Sequence, residues 1–591
     1  MISRSAALLG LSVLLLVPAS ASAQRTDRPP TPELDPVGVE LLPRPCAYEG
    51  NDKFERDFYM AEGWKGPDYV RYPGACQRMR FSYGPILVKP GQNDVLINPV
   101  TIEKPMRDGY ITRFRPNLVR ADGVVPPVEQ VHLHHGTWLS YPEYGSGPFF
   151  AAGEEKTVAP FPRGYGMPVK AADTWLLLYM VHSAVTEPFE TYIIYDVDFI
   201  PKDKGDKLGM TSAYPLWLDV RPSGYPVFNT QRIFGGPDGR CTWPREKCAD
   251  FDPYGDEIVG QGTPGNGKGT DWTFPAKGKN FGKAGPFTGG TLIGMGGHVH
   301  PGGIQNEIDL VRGKKKKRIY TGEALYWHPK NKQKGGGPPD SWDFSMPVVG
   351  LPFWGVHVRP GDKLRSNATY DTTLQSTYEN MGIAVSLLVP DKNGKPQAPG
   401  LNPFKATLDR SRDCLRRGGM IAPRPVLCDK GQVTHGHLSE NANRGGPGGK
   451  WASKSAGNSS EVAIADFLYV PGDLSTRTSM GIPTVKLGQK LRFTNFEGGS
   501  IWHTITSCKF PCLGQTGAAF PIADGATSKK RKLDFDSSEV GFGPPAIGPA
   551  AQTLSWSLDV SEKQGYKPGE VVTYFCRIHP FMRGAFEVAP Q

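Results

Sequence analysis

The stretch YFCRIHPFMR, at residues 574–583, places a thiol, an imidazole and a thioether within one short turn. The donors are Cys576, His579 and Met582, in the spacing Cys-x-x-His-x-x-Met. A second imidazole from an earlier strand would complete a trigonal site with a weak axial thioether. Soft sulfur ligands favour Cu(I), whereas imidazole accepts both oxidation states of copper. The stretch therefore predicts a copper site suited to electron transfer; the alternative is a surface loop that happens to contain these residues.

His503 supplies the second imidazole, in the segment IWHTIT that follows the strand-like segment GQKLRFTN. With the downstream donors, this arrangement resembles the cupredoxins. The short spacings and the sequence PFMRG resemble amicyanin most closely, and the resemblance covers residues 462–589. It implies a type 1 copper with His503, Cys576 and His579 in the ligand plane and Met582 in the axial position.

Length and composition predict several β domains. A chain of 591 residues is too long for one hydrophobic core, so three or more domains are expected. The 72 glycines and 56 prolines are interspersed with many short β-branched and aromatic runs, and long helical periodicity is absent. This pattern is typical of mostly antiparallel strands.

The first residues predict export. Residues 1–23 combine a basic start at Arg4, an apolar stretch at 6–17 and the small residues Ala-Ser-Ala at 21–23, as secretory signals do. The apolar stretch is too short to span a bilayer and no later stretch is long enough, so no integral membrane segment is expected. The predicted location is periplasmic or secreted, which excludes nucleic acid as a partner.

The nine cysteines fit an oxidising compartment. The sequence does not determine their connectivity, but eight fall into neighbouring pairs: Cys46 with Cys76, Cys241 with Cys248, Cys414 with Cys428, and Cys508 with Cys512. This arithmetic leaves Cys576 as a single thiolate, in agreement with a metal-ligand role.

The formal net charge is +10, and its densest part is the run KKKKR at residues 314–318. In an exported protein this run is suited to docking an acidic redox protein or a membrane surface. The alternative is a solvated hairpin tip, and the sequence leaves both interpretations open.

Most of the twelve histidines lie in His-x-His or His-His arrangements. Alternate residues of a strand share one face, so His132 and His134 can point at one metal, and so can His298 and His300. His134 and His135 would face opposite ways on a regular strand. Both can bind one metal only at a strand end or a bulge, which the glycine that follows them favours.

Further segments add donors. TWLLLYMVHS contains His182, and TYENMG contains Met381. Alone, such a histidine is more often a core residue and such a methionine more often a packing residue, so the argument depends on the assembled set. His435 and His437, in the segment HGH, could bind a metal, lie between the copper domains, or belong to a solvated loop.

The order of these donors resembles the copper type II ascorbate-dependent monooxygenases, the group of peptidylglycine hydroxylase and dopamine hydroxylase. That family has two β-sandwich domains, each with one copper. The resemblance covers residues 80–395, and HLHH and GDKLRSNATY also resemble the stress-up-regulated Nod proteins. The implied ligands are His134, His135 and His182 for an all-histidine copper, and His298, His300 and Met381 for the copper that would bind O2.

The two resemblances imply an all-β architecture. Two consecutive antiparallel β-sandwich domains of jelly-roll type would precede a C-terminal cupredoxin Greek-key β-sandwich. The expected segments are a signal peptide, an N-terminal extension, the first copper domain, the second copper domain, a linker and the cupredoxin domain, at residues 1–23, 24–79, 80–203, 204–395, 396–460 and 461–591 respectively.

Three positions depart from the peptide-amidating branch of that family. That branch holds its substrate with an arginine before His-x-His, a tyrosine after the methionine and a glutamine before the strand histidine. Here those positions are Gly296, Val385 and Met180, so the substrate contacts for peptide amidation are missing. His132 is additional and could be an alternative ligand or a support for the ligands.

These expectations combine into an exported copper-dependent oxidoreductase with about three coppers per chain. O2 and a small organic substrate would react at the methionine-containing site, and the C-terminal copper would deliver electrons from a redox protein. The alternatives are a non-catalytic copper-binding, delivery or electron-transfer protein, and a reductase-like role in which the cupredoxin accepts electrons. A multicopper oxidase is disfavoured, because it needs a His-Cys-His sequence and Cys576 lies between Phe575 and Arg577.

Overall fold

The computed structural model describes residues 37, 43–48, 58–60, 63, 69–88, 99–126, 131–142, 148–183, 188–220, 228–230, 240–243, 271–274, 287–300, 303–326, 334–335, 344–349, 354–371, 377–409, 420–421, 424–428, 432–433, 455–465, 468–473, 481–496, 503–507, 535–542, 552–576 and 582–589. The predicted signal peptide, His435, His437 and His579 lie outside these ranges. In the part of the chain that is described, no helix is long and apolar enough to cross a membrane.

The first sandwich contains β1 (Arg44–Pro45), β2 (Gln77–Val88), β3 (Val100–Ile102), β4 (Gly109–Val119), β5 (Val131–Tyr141), β6 (Pro148–Gly153), β7 (Ala159–Pro160), β8 (Tyr165–Val169), β9 (Thr174–Ser183), β10 (Phe189–Pro201) and β11 (Thr211–Ser212), with helix α1 (Lys202–Lys207) after β10. One sheet has the order β1-β2-β10-β4-β8-β11, with β7 beside β4, and the other has the order β3-β9-β5-β6. Their inner faces share a core rich in aromatic rings, including Phe114, Trp138 and Tyr195.

The second sandwich and its short attached sheets contain β12 (Tyr214–Asp219), β13 (Phe228–Thr230), β14 (Arg240–Trp243), β15 (Asp271–Thr273), β16 (Gly290–Val299), β17 (Gly303–Arg312), β18 (Lys315–Glu323), β19 (Leu325–Tyr326), β20 (Lys334–Gly335), β21 (Phe344–Ser345), β22 (Pro347–Val349), β23 (Val356–Val358), β24 (Lys363–Asp371), β25 (Thr377–Asn380), β26 (Gly382–Pro390), β27 (Thr407–Asp409), β28 (Met420–Ile421), β29 (Arg424–Cys428) and β30 (Gln432–Val433). Its main sheets have the orders β12-β26-β16-β22-β30 and β14-β24-β17-β18. Leu292, Ile308 and Leu364 are fully buried between them.

Parts of the expected extension and linker pack onto this second sandwich. Phe58 and Tyr59, from the extension, and Leu427 and Cys428, from the linker, are buried in the same core cluster. β30 also continues one main sheet by pairing with β22. The apolar residues of these short segments gain more by burial than by exposure to water, so both segments add to the core of a neighbouring domain.

The C-terminal sandwich contains β31 (Ser455–Asn458), β32 (Glu461–Ala465), β33 (Leu468–Val470), β34 (Ile482–Val485), β35 (Gln489–Asn495), β36 (His503–Ser507), β37 (Phe535–Phe542), β38 (Gln552–Thr553), β39 (Ser555–Val560), β40 (Val571–Phe575) and β41 (Arg583–Val588), with a 3-10 turn at Glu562–Gln564. Its sheets have the orders β31-β34-β41-β40-β36-β37-β38 and β33-β32-β35-β39. The pairs β31–β34, β32–β35 and β34–β41 are parallel, and the other pairs of these sheets are antiparallel.

The predicted all-β class is confirmed: the described residues form mainly antiparallel sheets packed as sandwiches. The sheets follow one another along the chain in three groups, while the predicted residue boundaries between domains stay a prediction. At the junction of the first two groups, Ile293 and Val389 of the second sandwich belong to the same buried cluster as Phe150 and Ala152 of β6. The two sandwiches therefore meet through a continuous apolar contact next to β6.

The cysteines agree with the sequence-based pairing where they are described. Cys46 and Cys76 form a disulfide. Cys428 is also disulfide-bonded, and its predicted partner, Cys414, lies outside the described residues. Cys576 is buried and is not disulfide-bonded. The side chains of the other four cysteines lie outside the part of the chain that the structure describes.

Candidate metal centre

Six histidines from three strands meet at the junction of the first two sandwiches. β5 carries His132, His134 and His135, β9 carries His182, and β16 carries His298 and leads directly into His300. The cluster is enclosed: His132, His134, His182 and His300 are buried, and His135 and His298 are mostly so.

A bulge in β5 turns two adjacent histidines into this cluster. His132 pairs with His182 and Leu133 with Val181, but His135 pairs with Met180, so His134 is the extra residue. A bulge lets neighbouring side chains share one side of a strand, which a regular strand forbids. Of the two interpretations of this histidine pair, a strand end or a bulge, the structure shows the bulge.

The first group of imidazoles lies within the first sandwich. The ligating nitrogens of His132, His134 and His182 all lie within 4.8 Å of one another. The ring centroids of His132 and His182 are 5.0 Å apart, and each is 5.9 Å from that of His134. Three imidazole nitrogens at this spacing can coordinate one ion.

The second group crosses between the sandwiches. Nε2 of His135 lies 2.7 Å from Nε2 of His300, and the ring centroids of His298 and His300 are 4.9 Å apart. The ligating nitrogens of His134, His135 and His300 also lie within 4.8 Å of one another. The predicted donors of two separate sites thus form one contiguous cluster in the structure.

Gly153 of β6 makes this crossing possible. A Cβ at this position would lie 2.8 Å from the carbonyl oxygen of His134 and 2.9 Å from Cε1 of His298. Real Cβ atoms do not approach other atoms this closely, so only glycine lets the His298 ring lie against the strand without a shift. The site depends on a backbone feature of β6 as well as on its imidazoles.

Two buried carboxylates, absent from the sequence prediction, hold the cluster. Oε1 of Glu154 lies 2.5 Å from Nδ1 of His134, and Oε1 of Glu155 lies 3.0 Å from Nδ1 of His298. The backbone N–H of Gly153 also donates to Glu155. In sequence, Glu154 and Glu155 read as an exposed charged turn. The one sequence feature that points to their burial is that they directly follow the apolar strand β6.

Both buried glutamates are ionised more readily than usual, which suits carboxylates that face imidazole N–H groups. Burial alone would raise the pKa of Glu154, but His134 more than offsets this and leaves that pKa below its usual value. The pKa of Glu155 is likewise lowered, because His298 and hydrogen bonds outweigh burial. Both carboxylates therefore accept hydrogen bonds from Nδ1–H, which leaves the Nε2 lone pairs of His134 and His298 available to a metal.

The pKa values of His135 and His298 are shifted in opposite directions. Burial, followed by the neighbouring imidazoles, holds the pKa of His135 well below its usual value, so its ring is neutral. Burial opposes protonation of His298 too, but Glu155 outweighs it and raises the pKa of His298. A neutral imidazole is the form that binds a metal ion.

Met381 is tied to this cluster through its backbone. The Tyr370 hydroxyl donates to the Met381 carbonyl oxygen at 2.7 Å and accepts from the backbone N–H of His300 at 2.8 Å. The Met381 side chain is buried. The described contacts concern its backbone, so a bond from its sulfur to a metal stays a prediction.

The C-terminal sandwich brings together three of the four predicted type 1 ligands. His503, Cys576 and Met582 are fully buried. Sγ of Cys576 lies 3.9 Å from Nδ1 of His503. Metal bonds of about 2.1 Å to nitrogen and about 2.3 Å to sulfur, at a trigonal angle of about 120°, separate the two donors by about 3.8 Å. The observed spacing therefore fits a shared ion.

Hydrogen bonds fix the sulfur at this site. The Thr504 backbone N–H donates to Sγ of Cys576 at 3.3 Å, and the Cys576 N–H donates to the Met582 carbonyl oxygen at 3.2 Å. A hydrogen bond donated to the sulfur stabilises its thiolate form, which is the form that binds metal. His579, the fourth predicted ligand, lies outside the described residues.

Two further features lie outside both candidate metal sites. His357 lies 3.3 Å from Asp391 and outside the histidine cluster. The lysine run forms the tip of the β17–β18 hairpin and the start of β18. Lys314 to Lys316 are exposed there, and Arg318 contacts Asp309. Docking of a redox partner at this tip stays a prediction.

Comparison with known proteins adds little. No protein-family model and no curated protein matches the sequence. Similar solved structures include a Cu(I) form of an amicyanin variant, at 18% identity and TM-score 0.12, covering 24% of this chain and 90% of that chain. A copper-containing nitrite reductase from Thermus scotoductus matches at 11% identity and TM-score 0.13, covering 51% and 55%. A multicopper oxidase from Aquifex aeolicus matches at 10% identity and TM-score 0.13, covering 50% and 53%. These three are copper proteins, but similarities this low carry no argument about this chain.

Proposed function

We propose that the protein is an exported copper-dependent oxidoreductase, a monooxygenase or oxidase that uses O2, with its C-terminal sandwich as a type 1 copper electron-transfer domain. One observation carries the proposal: six imidazoles converge in a buried cluster, with carboxylates that orient two of them toward a metal. Imidazole suits zinc, copper, iron and nickel, and of these divalent ions Cu²⁺ generally binds most tightly. Export rests on the sequence of residues 1–23.

The ligands follow the sequence-based assignment. They are His134, His135 and His182 for an all-histidine copper, His298, His300 and Met381 for the copper that meets O2, and His503, Cys576, His579 and Met582 for the type 1 copper. The distance between Cys576 Sγ and His503 Nδ1 supports a shared ion there, and the close spacing of the junction imidazoles supports metal binding at the junction.

Bound copper would supply one-electron chemistry with O2. The chain would orient the ligands, exclude water and provide an entry point for electrons. Glu154 and Glu155 hold the Nδ1–H groups of His134 and His298, which fixes the side of each ring that faces the ion. Burial keeps bulk water away from the cluster. Monooxygenation consumes two electrons beyond those of the organic substrate, and the type 1 domain offers them an entry point from a redox protein.

Cys576→Ser provides the test. The copper-loaded protein should absorb strongly in the visible range because of its copper–thiolate bond, and should consume O2 with a reduced protein donor. Cys576→Ser should lose the visible band and most of that O2 consumption, whereas His357→Gln, a histidine outside both sites, should keep both. Loss of the band with O2 consumption unchanged would refute the electron-entry role. Absence of O2 consumption with any reductant would indicate non-catalytic copper binding.

A further inference from the structure

We infer that the histidine cluster is a paired metal centre, in which two ions lie side by side across the domain junction and each takes three imidazoles. This inference rests on the proposed copper function and changes its ligand partition. The first histidine set is His132, His134 and His182, and the second histidine set is His135, His298 and His300. His135 therefore serves the second sandwich's ion, and His132 becomes a ligand of the first.

The first histidine set is supported by strand register. His132 and His182 are direct partners in the β5–β9 ladder, so their side chains emerge side by side. Glu154 reaches two members of the set: its Oε1 lies 2.5 Å from Nδ1 of His134 and 3.7 Å from Nε2 of His132. One carboxylate thus steadies two imidazoles of the same set, and Oε2 of Glu154 is buried without a hydrogen-bond partner among the described residues.

The second histidine set is supported by atoms that converge from both sandwiches. Nε2 of His135 and Nε2 of His300 lie 2.7 Å apart. Two nitrogens that share an ion at about 2.0 Å, with an angle near 90°, lie about 2.8 Å apart. Nε2 of His298 is buried without a hydrogen-bond partner among the described residues, and its Nδ1 is engaged by Glu155. His134 also has a nitrogen within 4.8 Å of those of His135 and His300, but Glu154 ties His134 to the first histidine set. We therefore assign His298, whose ring centroid lies 4.9 Å from that of His300, as the third donor.

The bulge in β5 brings the two ions together. It divides adjacent residues between the sets, because His134 belongs to the first and His135 to the second. Their ring centroids are 4.3 Å apart, and the ring of His134 is 4.8 Å from that of His300. With ligating nitrogens within 4.8 Å of one another and metal–nitrogen bonds of about 2 Å, the ions lie at most about 9 Å apart. A small ligand such as hydroxide can bridge two ions about 3.5–4 Å apart, a separation within this limit.

Electron paramagnetic resonance of the full-length Cu(II)-loaded protein tests the pair. Two Cu(II) ions that share a bridging ligand couple their spins and lose their signal, whereas isolated ions each contribute one spin. We expect about three coppers per chain by elemental analysis but only about one spin, that of the type 1 copper. About three spins from three coppers would overturn the paired centre and leave the proposed function standing. A cluster that binds no copper would overturn both.

Two variants separate the sets. Both His132→Ala and His135→Ala should remove about one copper, and each should raise the count from about one spin to about two, because the remaining ion loses its coupled neighbour. His357→Gln should keep three coppers and one spin. If His135→Ala loses copper without a gain in spin, the two ions are not a coupled pair. The wild-type spin count remains decisive even if a variant fails to fold.

Discussion

At the residue scale, the histidine cluster depends on carboxylates that hold the imidazoles in place. Glu154 is fully buried, and burying a carboxylate is costly unless it is paired. His134 offsets that cost through the short contact between Nδ1 and Oε1. The same contact fixes the tautomer of His134 and raises the electron density on Nε2. We therefore propose Glu154 as a positioning residue for the proposed metal site.

Glu154→Gln tests this role. The amide keeps the shape of the side chain but loses the negative charge, so His134 should be a weaker and less firmly oriented ligand. We expect copper affinity at the junction to fall about 10- to 100-fold in competition with a chelator. Glu307→Gln, at a buried carboxylate that contacts Arg318 in the second sandwich, is the matched control. Equal affinities in the two variants would argue against a positioning role for Glu154.

Gly153→Ala addresses the approach of the two sandwiches. The new Cβ would meet the backbone oxygen of His134, which cannot rotate away, and Cε1 of His298. We expect the His298 ring to move, so the junction should bind less than its full copper while the type 1 visible band is retained. Elemental analysis together with absorbance measures both. Full copper content in this variant would show that the site tolerates a wider gap between β6 and β16.

At the element scale, β5 shows how far sequence can predict local structure. Adjacent histidines followed by glycine favour a strand end or a bulge, and β5 contains a bulge at His134. A Cβ on Gly136 would lie 2.7 Å from the Trp138 ring, so the glycine is needed for packing as well. Glu154 and Glu155 could not be predicted in the same way, because a pair of glutamates after a strand is ordinarily exposed.

β12 carries a titratable group next to the sandwich junction. Burial raises the pKa of Asp219 to about 8, although Trp217 Nε1 donates to Oδ2 at 2.7 Å and opposes the shift. An unfolded-state aspartate titrates at about 3.9. Between pH of about 4 and about 8 the unfolded chain has released this proton and the folded chain has kept it. The free energy of unfolding therefore falls as pH rises through this window.

Asp219→Asn should remove this dependence. Relative to wild type, the Tm of the variant should rise progressively as pH increases from about 5 to about 8, because the asparagine has no proton to lose. Thermal unfolding at a series of pH values measures the difference. Asp122→Asn, at an exposed carboxylate beside Arg120, should show no such trend. A constant Tm difference across the series would contradict a raised pKa at Asp219.

At the scale of the whole molecule, the sequence predicts the all-β class because strand patterning is a local property. It does not predict that His135 and His300, 165 residues apart, are in contact. That contact depends on how two sandwiches dock, which short-range periodicity does not encode. For the same reason, Leu427 and Cys428 were expected in a linker but lie in the core of the second sandwich. The sequence marks the histidines as candidate ligands, but it does not show which of them lie close together.

The central claim is that electrons pass from the type 1 copper to the junction cluster and then to O2. Stopped-flow absorbance of the fully reduced protein mixed with O2 tests it, because the visible band returns when the type 1 copper is reoxidised. We predict rapid return in the wild type and at least about tenfold slower return in His182→Ala, in which the cluster lacks one imidazole but the type 1 ligands are unchanged. Equal rates in the two proteins would contradict the account.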